Sequence, residues 1–138
     1  MYQCKFFQIR ELVPPDIFDK RGDRAWELLD ERLLFTLDGL RGRYGRMTVN
    51  NWHWGGDRMW SGIRTPGSPF YNESSQHSLS RGRAADIIFS EISAEDVRAD
   101  ILAHQNEPPF DLIMAMETGV PWLHIDVRNC DRIKLFKQ

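Results

Sequence analysis

The sequence predicts a single α+β domain with a mostly antiparallel sheet, flanking helices and one long functional loop. Three observations carry that expectation. An apolar stripe at helical spacing runs through residues 23–42. The segment PWLHIDVR (121–128) alternates apolar and polar residues in period two. Between them, a strand-like AADIIF (84–89) leads into a capped helix at SAED (93–96). Length and composition agree: 138 residues make one ordinary domain spanning 1–138, and 41% hydrophobic with 28% charged residues is enough for a buried core.

Taken in order, FFQIRELVPPDIF (6–18) is apolar until Pro14 and Pro15, which suits an extended segment leading into a turn. In 23–42, Trp26, Leu29, Leu33, Leu37 and Leu40 recur three or four residues apart and form one face of a helix. Asp23 is placed to cap its start, and Gly42 or Gly45 to end it. MTVNN (47–51) reads as a short strand. Residues 52–76 then mix Trp52, Trp54 and Trp60 with glycines, prolines and polar residues, the composition of a loop that carries function. Its tryptophans are expected to line a cleft. AADIIF is a strand, and Ser93 caps a helix that runs to about His104 before NEPP breaks it. FDLIMAM (110–116) reads as a buried strand and IKLF (133–136) as a last one. In PWLHIDVR, Leu123, Ile125 and Val127 face one way; Trp122, His124, Asp126 and Arg128 face the other.

Several classes are set aside. The net charge is −2 and acids offset the arginine clusters, so neither nucleic acid nor an anionic membrane is expected as the main partner. No apolar run approaches a membrane span. MYQCKFFQIRELVPP lacks the apolar core of a signal peptide, which points to a protein that is cytoplasmic at synthesis and lacks a standard export signal. Cys4 and Cys130 form no CxxC and read as reduced thiols.

The chemistry gathers around His77, Asp86 and His124. Two histidines and one carboxylate leave a fourth position for water, the ligand count of a catalytic zinc site. Zinc lowers the pKa of bound water and polarises a carbonyl. A carboxylate must then carry the proton to the leaving amine, and Glu117 and Asp126 are the candidates.

The segments ELVPP, YG…VNNW, SGIR (61–64), SQH (75–77), GRAADI (82–87) and WLHIDVRN (122–129) together resemble the zinc D-Ala-D-Ala carboxypeptidase family. That family includes the vancomycin-resistance D,D-peptidases and many bacteriophage cell-wall endopeptidases, and its fold is related to the Hedgehog signalling domain. The chain is most similar to small phage-encoded members. The resemblance implies a Hedgehog/D,D-peptidase-like fold, a Zn2+ cofactor and the ligands His77, Asp86 and His124. Ser75, Gly82 and Ala84 fill the rest of the motif SxHxxGxAxD. Arg64 matches the arginine expected near the substrate or its developing oxyanion, with Ile63 in place of the usual Tyr.

Two departures accompany the resemblance. Asp86 lies nine residues after His77, two more than in the motif. Either the loop absorbs them as a bulge, or they swing His77 away from the metal. The acid that many relatives place three residues before the last histidine is Pro121 here. Glu117 matches the upstream glutamate of phage-type members, with Asp126 as the alternative base or as a residue that orients a histidine. Arg64, Ser75, Trp54 and Trp122 are expected to contact substrate. The function implied is a zinc peptidase hydrolysing a bond in peptidoglycan stem peptides. As a phage or prophage product it would reach the wall by holin-type release or within the particle. The alternatives are a catalytically impaired virion structural or binding protein, and a small D,D-dipeptidase acting on soluble dipeptides.

Overall fold

Pro15 occupies the first turn of α1 (Pro15–Arg21), where its missing N–H costs nothing and its fixed φ suits a helix. PPDIF therefore opens a helix, preceded by a 3-10 turn at Ile9–Glu11, where an extended segment and a turn were expected. The computed structural model describes residues 1–130 and 133–137.

The apolar stripe is buried at Trp26, Leu29, Leu33, Leu37 and Leu40. It lies on two elements rather than on the one helix expected. Gly22–Leu28 is a 3-10 helix, and α2 (Glu31–Tyr44) starts after Asp30. Asp30 causes the break. Its carboxylate accepts the Arg32 backbone N–H at 2.9 Å and pairs with the Arg32 guanidinium at 2.7 Å. Its own N–H donates to the Gly82 carbonyl at 2.9 Å. A tertiary contact thus holds Asp30 extended, and a new N-cap begins there instead of at Asp23. Gly45, at φ 81, closes α2.

The strands are β1 (Met47–Thr48), β2 (Ala84–Phe89), β3 (Ala115–Glu117), β4 (Leu123–Asp126) and β5 (Lys134–Phe136). They form one mixed sheet in the order β1-β2-β4-β3-β5. Three of its pairings are antiparallel; β3 and β5 run parallel. α3 (Ala94–Ala103) follows β2, with the Ser93 hydroxyl accepting the Asp96 N–H at 3.1 Å as the cap. Two expected strands are shorter than their apolar runs. β1 stops at Thr48. FDLIMAM reaches extended geometry only at Ala115, because Phe110 and Ile113 donate to Glu107 and Phe110 in successive turns. Both side chains are buried all the same.

Alternation gives the sheet two different faces. Ala85, Ile87, Met116, Leu123 and Ile125 join the core with Leu34, Leu37, Val97 and Ile101 from α2 and α3. Asp86, Glu117, His124 and Asp126 take the alternate positions, and the long loop of residues 52–82 covers that face. Cys4 and Cys130 are free thiols. Among the described residues, no helix is long and apolar enough to cross a membrane.

Candidate metal centre

The β2–β4 register sets Asp86 opposite His124 and Ala84 opposite Asp126. Directly opposed residues have Cβ atoms about 5 Å apart, so short polar side chains meet. Asp86 Oδ1 lies 2.9 Å from His124 Nδ1. His77 comes from the loop, which is tied down on both sides of it. The Arg64 N–H donates to the His77 carbonyl at 2.8 Å, and the Leu79 N–H donates to the Arg64 carbonyl at 3.0 Å. The His77 ring Nδ1 contacts the Gly62 carbonyl at 2.8 Å. Gly62 must be glycine, since a Cβ there would collide with the Leu12 carbonyl oxygen.

The two additional residues of the motif sit in a turn. The Arg81 and Gly82 N–H groups both donate to the Ser78 carbonyl, at 2.9 and 3.0 Å. Gly82 has φ +57, and a Cβ on it would strike the Leu28 carbonyl oxygen. The turn takes up the extra length, and His77 stays with Asp86 and His124.

His77 Nε2 lies 3.3 Å from His124 Nδ1 and 3.3 Å from Asp86 Oδ1. The outer ring nitrogens both face acceptors: His77 Nδ1 the Gly62 carbonyl, and His124 Nε2 the Asp126 carboxylate at 2.9 Å. In neutral rings those nitrogens carry the hydrogens, and the inner ones carry lone pairs. In that state three acceptors converge, and either a metal ion or, without one, a proton on His124 satisfies them. Atoms bound at about 2.0–2.1 Å to one tetrahedral ion stand about 3.3 Å apart, which matches two sides of the triangle, while the third, Asp86 Oδ1 to His124 Nδ1, is 2.9 Å. The buried His77–Asp86–His124 group can hold a metal ion. Two imidazoles and a carboxylate suit a divalent transition ion, zinc among them. The bonds from the outer nitrogens are those that orient metal-bound histidines.

Charge follows the same geometry. Burial alone would push the Asp86 carboxyl up, but His77 and His124 hold it well below the usual carboxylate range. Burial likewise opposes ionisation of Asp126, yet Arg128 and His124 bring it to about 2. Arg128 grips both Asp126 oxygens, at 2.7 and 2.7 Å. Burial lowers His77. Burial would lower His124 too, but Asp126 and Asp86 lift it to about 9. Glu117 is raised, chiefly by burial.

A cavity of about 630 Å³ opens onto this group. Glu117, 3% exposed at the end of β3, lines it with an Oε1 that has no hydrogen-bond partner. Arg64 also lines it, its Nε held by the Trp60 carbonyl at 2.8 Å and one Nη on Asp86 Oδ2 at 3.1 Å. Ser75 borders the cavity while its hydroxyl accepts the His77 N–H at 3.1 Å. Asp126 and Trp122 complete the expected set.

Trp54 is the exception among the expected site residues. It is 64% exposed, packs on the His53 ring at 4.2 Å and borders a separate cavity beside Lys5 and Arg41. Trp52 and Trp60 do not border the metal cavity either; the Trp52 indole donates to the Val13 carbonyl at 2.9 Å. Sequence reasoning missed Arg58, Gln76 and Phe136, all of which line the site. Phe136 reaches it because β5 pairs it with Glu117, which sets its ring 5.2 Å from that of His124. No local motif announces such a partner. The chain matches no protein-family model, no curated protein and no solved structure.

Proposed function

We propose that this chain is a zinc-dependent peptidase that hydrolyses a peptide bond in bacterial peptidoglycan stem peptides. The observation that carries the reading is the convergence of three lone-pair donors beside a buried carboxylate with an unpartnered oxygen. The resemblance of SQH, GRAADI and WLH to the D-Ala-D-Ala carboxypeptidases supplies the substrate class. As a phage or prophage product, the enzyme reaches the wall by holin-type release or with the particle.

His77, Asp86 and His124 would hold the ion. When bound, zinc supplies Lewis acidity and brings the pKa of a coordinated water towards neutrality. Glu117 is the proton carrier. Its burial favours the protonated form, which suits a group that accepts a proton and then donates it to the leaving amine. Asp126 has both oxygens engaged by His124 and Arg128, so it orients the imidazole and is not the base. Arg64 orients Asp86 and keeps its guanidinium in the cavity, where negative charge develops on the scissile carbonyl. Gln76 Oε1 and Trp122 Nε1 are buried without partners, one acceptor and one donor, which is what a peptide unit needs.

The test is metal content by elemental analysis, followed by turnover of stem peptides. The wild type is expected to hold about one zinc per chain and His77→Ala to hold none. Glu117→Gln is expected to keep zinc and lose about 100-fold or more in rate. A wild type that takes up no zinc would leave a binding or virion protein as the better reading.

A further inference from the structure

Residues 51–58 border two cavities. Arg58 lines that of the metal group, while Asn51, Trp54, Gly55 and Gly56 line a second, of about 990 Å³. The segment is closed on itself. The Asn51 N–H donates to the Arg58 carbonyl at 3.0 Å, and the Trp54 and Gly56 N–H groups donate to the Asn51 carbonyl, at 3.0 and 3.0 Å. The Asn51 carboxamide oxygen accepts the Arg58 N–H at 2.9 Å. Trp54 therefore stands on a fixed turn. Its indole packs on the His53 ring at 4.2 Å, yet the side chain is 64% exposed, so much of the ring is free to take a ligand.

The rest of the wall is cationic. Lys5, Arg41 and Arg46 line the cavity, and among the described residues none of them forms an ion pair. Glu11 is the single acid among the lining residues. Its Oε2 already accepts the Gln8 N–H at 2.7 Å, and burial raises its pKa. Phe6, also exposed, lies 5.7 Å beneath the Arg41 guanidinium. The chain as a whole carries −2, so this excess of positive charge is local. Unpaired cations gathered in a concavity favour an anion. The face of an indole is negative, and the C–H groups of a sugar ring lie well against it.

We infer that this second cavity binds an acidic saccharide, a strand of amino sugars with one ring on Trp54 and a carboxylate among Lys5, Arg41 and Arg46. The choice of a sugar rests on the peptidase reading above, since stem peptides hang from such a strand. It deepens that reading: the chain holds the polymer at one cavity and the peptide at its neighbour, and the 51–58 turn lies between them.

The experiment titrates the zinc-loaded full chain, by calorimetry, with a peptide-free wall tetrasaccharide whose muramyl carboxylates are free. A neutral N-acetylglucosamine tetramer and an oligothymidylate are the comparisons. The acidic saccharide is expected to bind about 10-fold more tightly than the neutral one, with an advantage that shrinks as salt rises. Trp54→Ala is expected to weaken it about 10-fold. Lys5→Gln combined with Arg46→Gln, both at exposed positions, is expected to remove the advantage over the neutral tetramer with zinc content and unfolding temperature unchanged. Equal binding of the two saccharides, or an undiminished affinity in folded Trp54→Ala, overturns the inference. Oligothymidylate bound as tightly as the saccharide assigns the cavity to nucleic acid and overturns it too. Turnover of soluble stem peptides is measured beside the titration. Turnover without saccharide binding overturns this cavity's role alone; saccharide binding without zinc or turnover overturns the peptidase reading alone.

Discussion

Without a metal, the gap between the three acceptors is filled by a proton, and that makes stability depend on pH in a definite direction. The perturbation is chelation followed by a rise in pH. Burial disfavours charge on His124, but its bonds with Asp126 and Asp86 outweigh burial and lift its pKa from 6.5 to about 9. In the unfolded chain the same ring titrates near 6.5. The folded state therefore holds this proton more tightly. Its contribution is complete below pH 6.5 and is lost as pH rises towards about 9. At about 1.36 kcal/mol per pH unit, the loss is about 3 kcal/mol, a large share of a small domain's stability. His77 acts in the opposite sense. Its pKa is lowered on folding, so the unfolded chain takes up a proton below pH 6.5 that the native ring refuses. Metal-free protein should be most stable near pH 6.5. Zinc-loaded protein should gain stability across the same range, because metal and protons compete for the same nitrogens. Urea unfolding at pH 6.5, 7.5 and 9, with chelator and with excess zinc, measures both curves. A chelated protein as stable at pH 9 as at 6.5 would refute the shared-proton geometry.

Other consequences are simpler to state. Asp126→Asn removes the charge that holds the His124 ring, and zinc affinity should fall about 10- to 100-fold in a chelator competition titration. An unchanged affinity would mean that His124 does not bind through Nδ1. Gly82→Ala forces a Cβ into the Leu28 carbonyl at a positive φ, so thermal unfolding should drop by several degrees or the protein should fail to accumulate. Normal stability there would show that the turn can shift without cost.

The parts of the fold legible in the sequence are those where burial and backbone periodicity coincide. β2 is found at AADIIF because five apolar residues and one acid follow each other between clear breaks. The alternation of WLHIDVR correctly sorts Leu123 and Ile125 from His124 and Asp126. Where burial and backbone part company, apolar runs mislead. Trp26 and Leu29 are core residues on a 3-10 segment, and Phe110 and Ile113 are core residues in turns. Periodicity reports which side chains are buried, while Asp30 and the turns at Phe110 decide the backbone. The site divides in the same way. His77, Asp86 and His124 are singled out by the resemblance of SQH, GRAADI and WLH, since spacing alone does not make the set specific; the β2–β4 register and the loop bring them together. Trp54 misleads because an aromatic in a Gly-rich loop is read as a cleft wall, and its partner is a neighbouring histidine instead. Arg58 is silent because its place at the cavity is set by the Val49 and Asp86 carbonyls, and that can be seen only in three dimensions.

The stretch between His77 and Asp86 shows which constraints hold a candidate loop ligand in place. The position of His77 depends on a parallel bridge to Arg64, on the Gly62 carbonyl at its ring and on the Ser75 hydroxyl at its N–H. The Gly62 and Ser75 contacts and the Arg64 N–H bonded to the His77 carbonyl lie outside residues 78–82, and the rest of the bridge uses only Ser78 and Leu79 at the start of that stretch. On the other side, Asp86 is fixed by its β2–β4 register and by its N–H donated to the Ser61 carbonyl at 2.8 Å. Ser61 in turn donates its N–H to the buried Asn50 side chain at 2.9 Å. Both ligands are thus anchored to the SGIR segment, and the chain between them only has to close a turn. Loop closure changes slowly with length, so a longer turn costs little once its ends are held. Length is therefore the cheap variable in this motif. The close approaches at Gly62 and Gly82, where even a methyl group has no room, are the expensive ones.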